Sequence, residues 1–151
     1  MTSFKTVESG IQCNFKPEDR RLLAEIVPML EGLGPLDKDP AARRLKVPLY
    51  RHDPTVDDKL RPFAEKELAA ARRSDREVFT RVVDADDPVI VTEDEASAFL
   101  RVVNEGRLAF AARFGFGAPG DYDGLSDDRR KTLEDLRRVL HLLTVELSRP
   151  L

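Results

Sequence analysis

FLRVVNEGRLAFAARFG, running from Phe99 to Gly115, is the stretch whose reading decides the fold. Its apolar residues Phe99, Leu100, Val103, Leu108, Ala111 and Phe114 recur at helical steps, so the stretch is an amphipathic helix. Asn104 interrupts that stripe midway between Leu100 and Leu108, and Arg107 falls between Val103 and Phe110. An unpaired buried polar group costs roughly 2–7 kcal/mol. The fold, or a ligand, must therefore satisfy this amide and guanidinium. The expectation is a central packing helix. In it Asn104, Arg107 and Arg113 are buried polar organisers first and ligand contacts second, because satisfied polar groups are common in cores.

Outward from this helix, the flanking residues set its ends. Thr92 and Glu95 form a capping box at its start, and Gly115 and Gly117 stop it. Before it, Val89-Ile90-Val91 reads as a short strand after the turn Asp86-Asp87-Pro88. That strand is expected to join an N-terminal β-hairpin, since an isolated hairpin is marginal. In the hairpin, Phe4, Thr6 and Glu8 precede a Ser9-Gly10 turn, and Ile11, Cys13 and Phe15 alternate after it.

The remaining segments read as helices. One opens at Pro17 and carries Leu22, Leu23, Ile26, Val27, Leu30 and Leu33, with Pro28 kinking or ending it. A proline-rich connection follows, with one helical turn from Pro40 to Leu45 and with Val47, Leu49 and Tyr50 as anchors on the core. A second helix is expected from Thr55 to Arg73, with Val56, Leu60, Phe63, Ala64 and Leu68 inward and an interruption at Pro62. A third starts at a Ser74/Glu77 capping box and runs to Val83. The last, capped by Ser126, carries Leu133, Leu136, Leu140, Leu143 and Leu147 as a heptad seam. That seam packs either inside the monomer or against a second copy. The fold class is thus mainly α: a bundle of about five helices with a small N-terminal hairpin that residues 89–91 join as a third strand.

Length and composition bound the function. The 151 residues suit one domain, 1–151, and 41 % hydrophobic with 35 % charged residues describes a globular chain. No apolar run is long enough to span a membrane, and the N-terminus has no apolar signal core. A formal net charge of −3 disfavours nonspecific nucleic-acid binding. The single cysteine, Cys13, cannot close an internal disulfide and fits a reducing cytoplasm.

Each constellation that suggests chemistry has a plainer reading. His52, Asp53, Asp57 and Asp58 are a polar turn and a helix start before they are a metal site, because no Cys/His spacing supports zinc. Asp84, Asp86, Asp87 and the acids 93–95 sit at a turn and a helix start. GFGAPG, Gly115 to Gly120, follows a helix, whereas phosphate loops follow a strand and open a helix. No catalytic residue, cofactor or metal is expected, and the chain is not read as an enzyme. Cys13, on an apolar strand face, has no His or Lys neighbour to activate it. The basic pairs include Arg72-Arg73 and Arg129-Arg130-Lys131; both are flanked by acids and would contact DNA or a partner only by converging.

DPAARRL at Asp39–Leu45, a proline- and tyrosine-bearing link, NEGRLAFAARFG at Asn104–Gly115 and the closing leucine helix together resemble a known family. It is the actinobacterial AosR-like family of small proteins, long labelled a domain of unknown function, some of whose members are described as oxidative-stress transcriptional regulators. The resemblance spans nearly the whole chain. It implies a cytoplasmic, predominantly helical protein whose genes neighbour those of the Clp protease adaptor and of cysteine synthesis. It also implies regulation of oxidative-stress or sulfur metabolism through DNA or a transcription factor, and a thiol switch. With one cysteine, a redox role for Cys13 would require an intermolecular disulfide or an oxidised single thiol. The alternative is a protein-interaction adaptor without DNA binding, linked to Clp proteolysis or cysteine synthesis. A homodimer through Leu133, Leu136, Leu140, Leu143 and Leu147 is expected in either case.

Overall fold

The computed structural model describes the backbone of residues 1–34, 38–45, 54–115 and 124–149, and side chains over the same ranges except 54–64. Val47, Leu49, Tyr50, His52, Asp53 and most of GFGAPG lie outside that description, as do the side chains of Val56, Asp57, Asp58, Leu60, Phe63 and Ala64.

The N-terminal strands β1 (Ser3–Val7) and β2 (Gly10–Asn14) pair antiparallel, and β3 (Val89–Val91) joins β2 on its other side, giving the order β1-β2-β3. Val7 pairs with Gly10, so the turn is Glu8-Ser9 rather than Ser9-Gly10. Gly10 answers a different need. Its φ is +147°, and a Cβ there would sit 2.3 Å from the carbonyl oxygen of Val91 on the adjacent strand. Phe4, Ile11, Cys13 and Val91 are buried, as the alternation requires.

Two helices follow where one was expected. α1 (Pro17–Ala24) and α2 (Ile26–Glu31) part at Glu25. The break falls before Pro28, which thus lies in the first turn of α2, where its missing N–H costs nothing. α3 (Pro40–Leu45) is the expected short turn of helix. α4 (Pro54–Asp84) is one continuous helix, a correction to the pair 55–73 and 74–83. Ser74 and Glu77 are exposed interior residues of it and start nothing.

α5 (Glu93–Arg113) opens at the expected capping box: the Glu95 N–H donates to Thr92 Oγ1 at 3.1 Å and the Thr92 N–H to Glu95 Oε1 at 2.9 Å. α6 (Asp127–Leu147) is capped by Ser126, whose Oγ accepts from the Arg129 N–H at 3.3 Å. α5 is central, packing on α2, α3, α4, α6 and β2. Phe99 joins helices to sheet, its ring 4.8 Å from that of Phe79 and 5.7 Å from that of Phe15, centroid to centroid.

The buried face of α5 is Ala96, Ala98, Phe99, Val102, Val103, Gly106 and Ala109. The expected stripe is therefore out of phase. Leu100, Asn104 and Leu108 are half-buried flanks. Gly106 shares this face with the larger Val102 and Val103 because Ile26 of α2 approaches the α5 backbone closely there. On α6 the buried set is Leu133, Leu136, Val139, Leu143 and Glu146, with Leu140 and Leu147 half-buried. The seam packs on α5, α1 and β1 of the same chain. Among the described residues, no helix is long and apolar enough to cross a membrane.

Candidate functional site

α4 and α5 run antiparallel and are joined by ion pairs along their length. Arg101 grips Asp75 with two bonds of 2.8 Å, which raises the Arg101 pKa, and Arg81 pairs with Glu95. Glu105, mostly shielded from water, takes Arg76 at 3.3 Å and Arg72 at 3.7 Å. Asn104 and Arg107 meet within one helical turn: Arg107 Nη2 donates to Asn104 Oδ1 at 3.0 Å. The polar interruption of the apolar stripe thus answers itself. Arg107 Nε remains buried without a partner among the described residues, as does Arg76 Nε.

Arg113, expected to be buried, is instead at the surface and reaches Asp39, 2.9 Å from its Oδ2. Asp39 stands just before Pro40 and caps α3, accepting from the Ala41 N–H at 3.0 Å and from the Gly34 N–H at 2.8 Å. The Arg113 bond, then that from Gly34, holds the Asp39 carboxyl well below the usual carboxylate range. The two segments DPAARRL and NEGRLAFAARFG therefore mate: α3 lies on α5 and the Asp39–Arg113 bond ties them together.

On the other side of α3 a groove of about 920 Å³ opens between α2, α3 and α4. Its apolar lining includes Val27, Leu30, Leu33, Leu45 and Leu68, and Arg73 stands on its rim. Leu68 is 39 % exposed. Arg73 is exposed and makes no ion pair among the described residues, in contrast to Arg72, whose Nη2 also donates to the Leu45 carbonyl at 3.2 Å.

The other basic set is spent locally. The Arg129 guanidinium lies 5.1 Å over the Phe114 ring, Arg130 bonds Asp127 at 2.8 Å, and Lys131 bonds Asp135 at 2.9 Å. No described contact joins Arg72 or Arg73 to residues 129–131. Cys13 is 3 % exposed, and burial, followed by the nearby Asp87 charge, pushes its thiol up to about 12. A reactive thiolate is thus disfavoured while the fold is closed. Among the described residues no group of three His, Cys, Asp or Glu side chains could hold a metal ion.

The buried charged residues are ones that sequence patterns did not single out. Asp19, 2 % exposed, accepts two bonds from Arg138 at 2.8 and 2.9 Å and one from the Thr2 hydroxyl. Glu146 accepts from the Thr6 N–H at 2.7 Å and the Thr6 hydroxyl at 2.8 Å, fastening β1 to α6. Glu105 and Asp39 carry a signal only in hindsight: each is an acid beside a motif arginine.

The groove and the mated motifs share α3, and among the described residues Arg73 makes no ion pair and no acid, base and nucleophile converge. No curated protein and no solved structure matches the chain. One family model does, over residues 1–148, covering both mated motifs and the groove. The chain belongs to the family described as Domain of unknown function (DUF2017).

Proposed function

We propose that this protein is a cytoplasmic interaction module that acts by taking an apolar helical segment of a partner protein into the groove between α2, α3 and α4. The carrying observation is the groove itself: an apolar strip of leucines with exposed Leu68, bordered by charged side chains of α4, of which Arg73 makes no ion pair among the described residues. A partner helix with leucine- or methionine-type side chains on one face and an acid beside them suits it. The apolar face supplies most of the affinity, and the acid opposite Arg73 sets orientation and on-rate.

The AosR-like resemblance supplies the regulatory part of this reading, in an actinobacterial oxidative-stress or sulfur-metabolism setting with a transcription factor or a proteolytic adaptor as the partner class. Direct DNA binding is the weaker form. Arg129, Arg130 and Lys131 are each engaged by a ring or an acid of the same chain, so fewer phosphates can be neutralised.

A photo-crosslinking residue placed at Leu68 tests the groove. It is expected to capture a discrete protein in cells, and the yield is expected to fall several-fold with Arg73→Glu. A crosslinker at Ile90, an exposed position on β3, serves as the control. Equal capture from both positions, or no response to Arg73→Glu, refutes the groove reading. A gel shift with the gene's own upstream DNA at low salt is expected to show no complex. Self-association, where it occurs, would use Leu140, Val145 and Leu147, which stay at least partly at the surface; light scattering at high micromolar concentration decides it.

A further inference from the structure

We infer that Glu105 and Arg113 are positioning residues that set the groove, by holding the two ends of its α3 wall. The inference rests on the groove reading above for its consequence, and on the geometry of α3 for its substance.

A six-residue helix is not stable on its own. The buried surface of α3 is small: Ala41, Ala42 and Leu45. Arg43 and Arg44 point to solvent. Two alanines and one leucine anchor a helix weakly, so its place depends on what grips its ends. One grip comes from α5 directly and the other from Arg72 of α4, which Glu105 of α5 pairs with. At the N-terminal end, Arg113 holds Asp39, and that carboxylate in turn caps the Ala41 N–H and the Gly34 N–H. At the C-terminal end, Arg72 donates to the carbonyl of Leu45 and is itself steered by Glu105. Asp39 and Glu105 are each only 12 % exposed at the side chain, while Arg113 and Arg72 are 36 % and 33 % exposed, so the acid is the shielded half of each pair. Ala42 and Leu45 are at once the feet of α3 and part of the groove lining. Releasing either end therefore lets the wall shift relative to the α4 floor. Glu105 and Arg113 thus act on binding without lining the groove.

The test pairs hydrogen exchange with the Leu68 crosslink, using Glu105→Gln and Arg113→Gln in the full chain. Amides 41–45 are expected to exchange at least tenfold faster in each variant, while those of 99–103 in the centre of α5 keep their protection. Crosslink yield at Leu68 is expected to drop several-fold in the same variants. Unchanged exchange at 41–45 overturns the inference and leaves the groove reading standing. Faster exchange throughout, 99–103 included, also overturns it, because the residues would then hold the whole fold rather than one wall. Faster exchange confined to 41–45, with no specific crosslink even in the parent chain, supports the hold on α3 and defeats the groove reading instead.

Discussion

At Gly106 a single hydrogen decides how closely two helices approach. A Cβ there would lie 2.8 Å from both Cδ1 and Cγ2 of Ile26, a residue that is fully buried. Alanine is the better helix former by about 1 kcal/mol. Overpacking a tight core costs roughly 1–3 kcal/mol. The clash involves three atoms of one side chain with nowhere to turn, so overpacking wins. Gly106→Ala is expected to lower the urea midpoint without changing the denaturant slope. At this scale the sequence was legible in part. Asn104 and Arg107 stood out as polar residues in an apolar stripe, but their bond is to each other, which periodicity cannot express. Asp19 and Glu146 did not stand out at all. An acid in a first helical turn satisfies the dipole equally well when exposed. The partner of Glu146 is Thr6, 140 residues away along the chain.

Elements were legible where their signals are local. Thr92/Glu95 and Ser126 start helices as their patterns require. Ser74/Glu77 carries the same pattern inside α4, and there it fails. The neighbours Asp75 and Arg76 pair with Arg101 and Glu105 across the helix interface, which favours keeping the helix unbroken. Such pairing depends on register between distant segments, so it is invisible in a short window. The far end of α4 shows the same dependence. Arg20 of α1 donates through Nη1 to the carbonyls of Val83 and, at 2.7 Å, Ala85, while Nη2 pairs with Asp87. Helix ends leave carbonyls unsatisfied and favour a cation there. Here the cation comes from another helix, a pairing that no local pattern around Arg20 expresses. Arg20→Ala is expected to cost about 1.5–3 kcal/mol, the range for bonds to a charged group. Hydrogen exchange should locate the loss as fraying of residues 82–85.

Across the whole molecule the same long-range carboxylates link protonation to stability. Asp39 joins α3 to α5, and Glu146 joins α6 to β1. Both are held below their ordinary values, 3.8 and 4.5 respectively: Asp39 chiefly by Arg113, Glu146 by the Thr6 hydroxyl and then the Thr6 N–H. Burial opposes ionisation of Asp135, but the bonds from Lys131 and Arg138 outweigh it, so its pKa is lowered too. A carboxylate with a depressed folded pKa stabilises fully above its unfolded value and loses that contribution as pH falls through the folded one. Stability is therefore expected to decline from about pH 4 downward, as these seams lose their charge. Glu146→Gln is expected to be less stable than the parent at pH 7 and to converge with it as pH falls below 4. Cys13 works in the opposite direction. Its thiol is raised from 9.0 to about 12 by burial and then by Asp87, so the unfolded chain releases the proton first. Stability should fall as pH rises above 9. Cys13→Ala, less stable at pH 7 through its lost packing, is expected to lose less than the parent between pH 9 and 11. Urea unfolding across the two pH ranges checks both limbs. A parent curve flat on the acid side would mean that Asp39 and Glu146 do not carry the seams, and parallel alkaline limbs for parent and Cys13→Ala would mean that the thiol titrates alike in folded and unfolded chains.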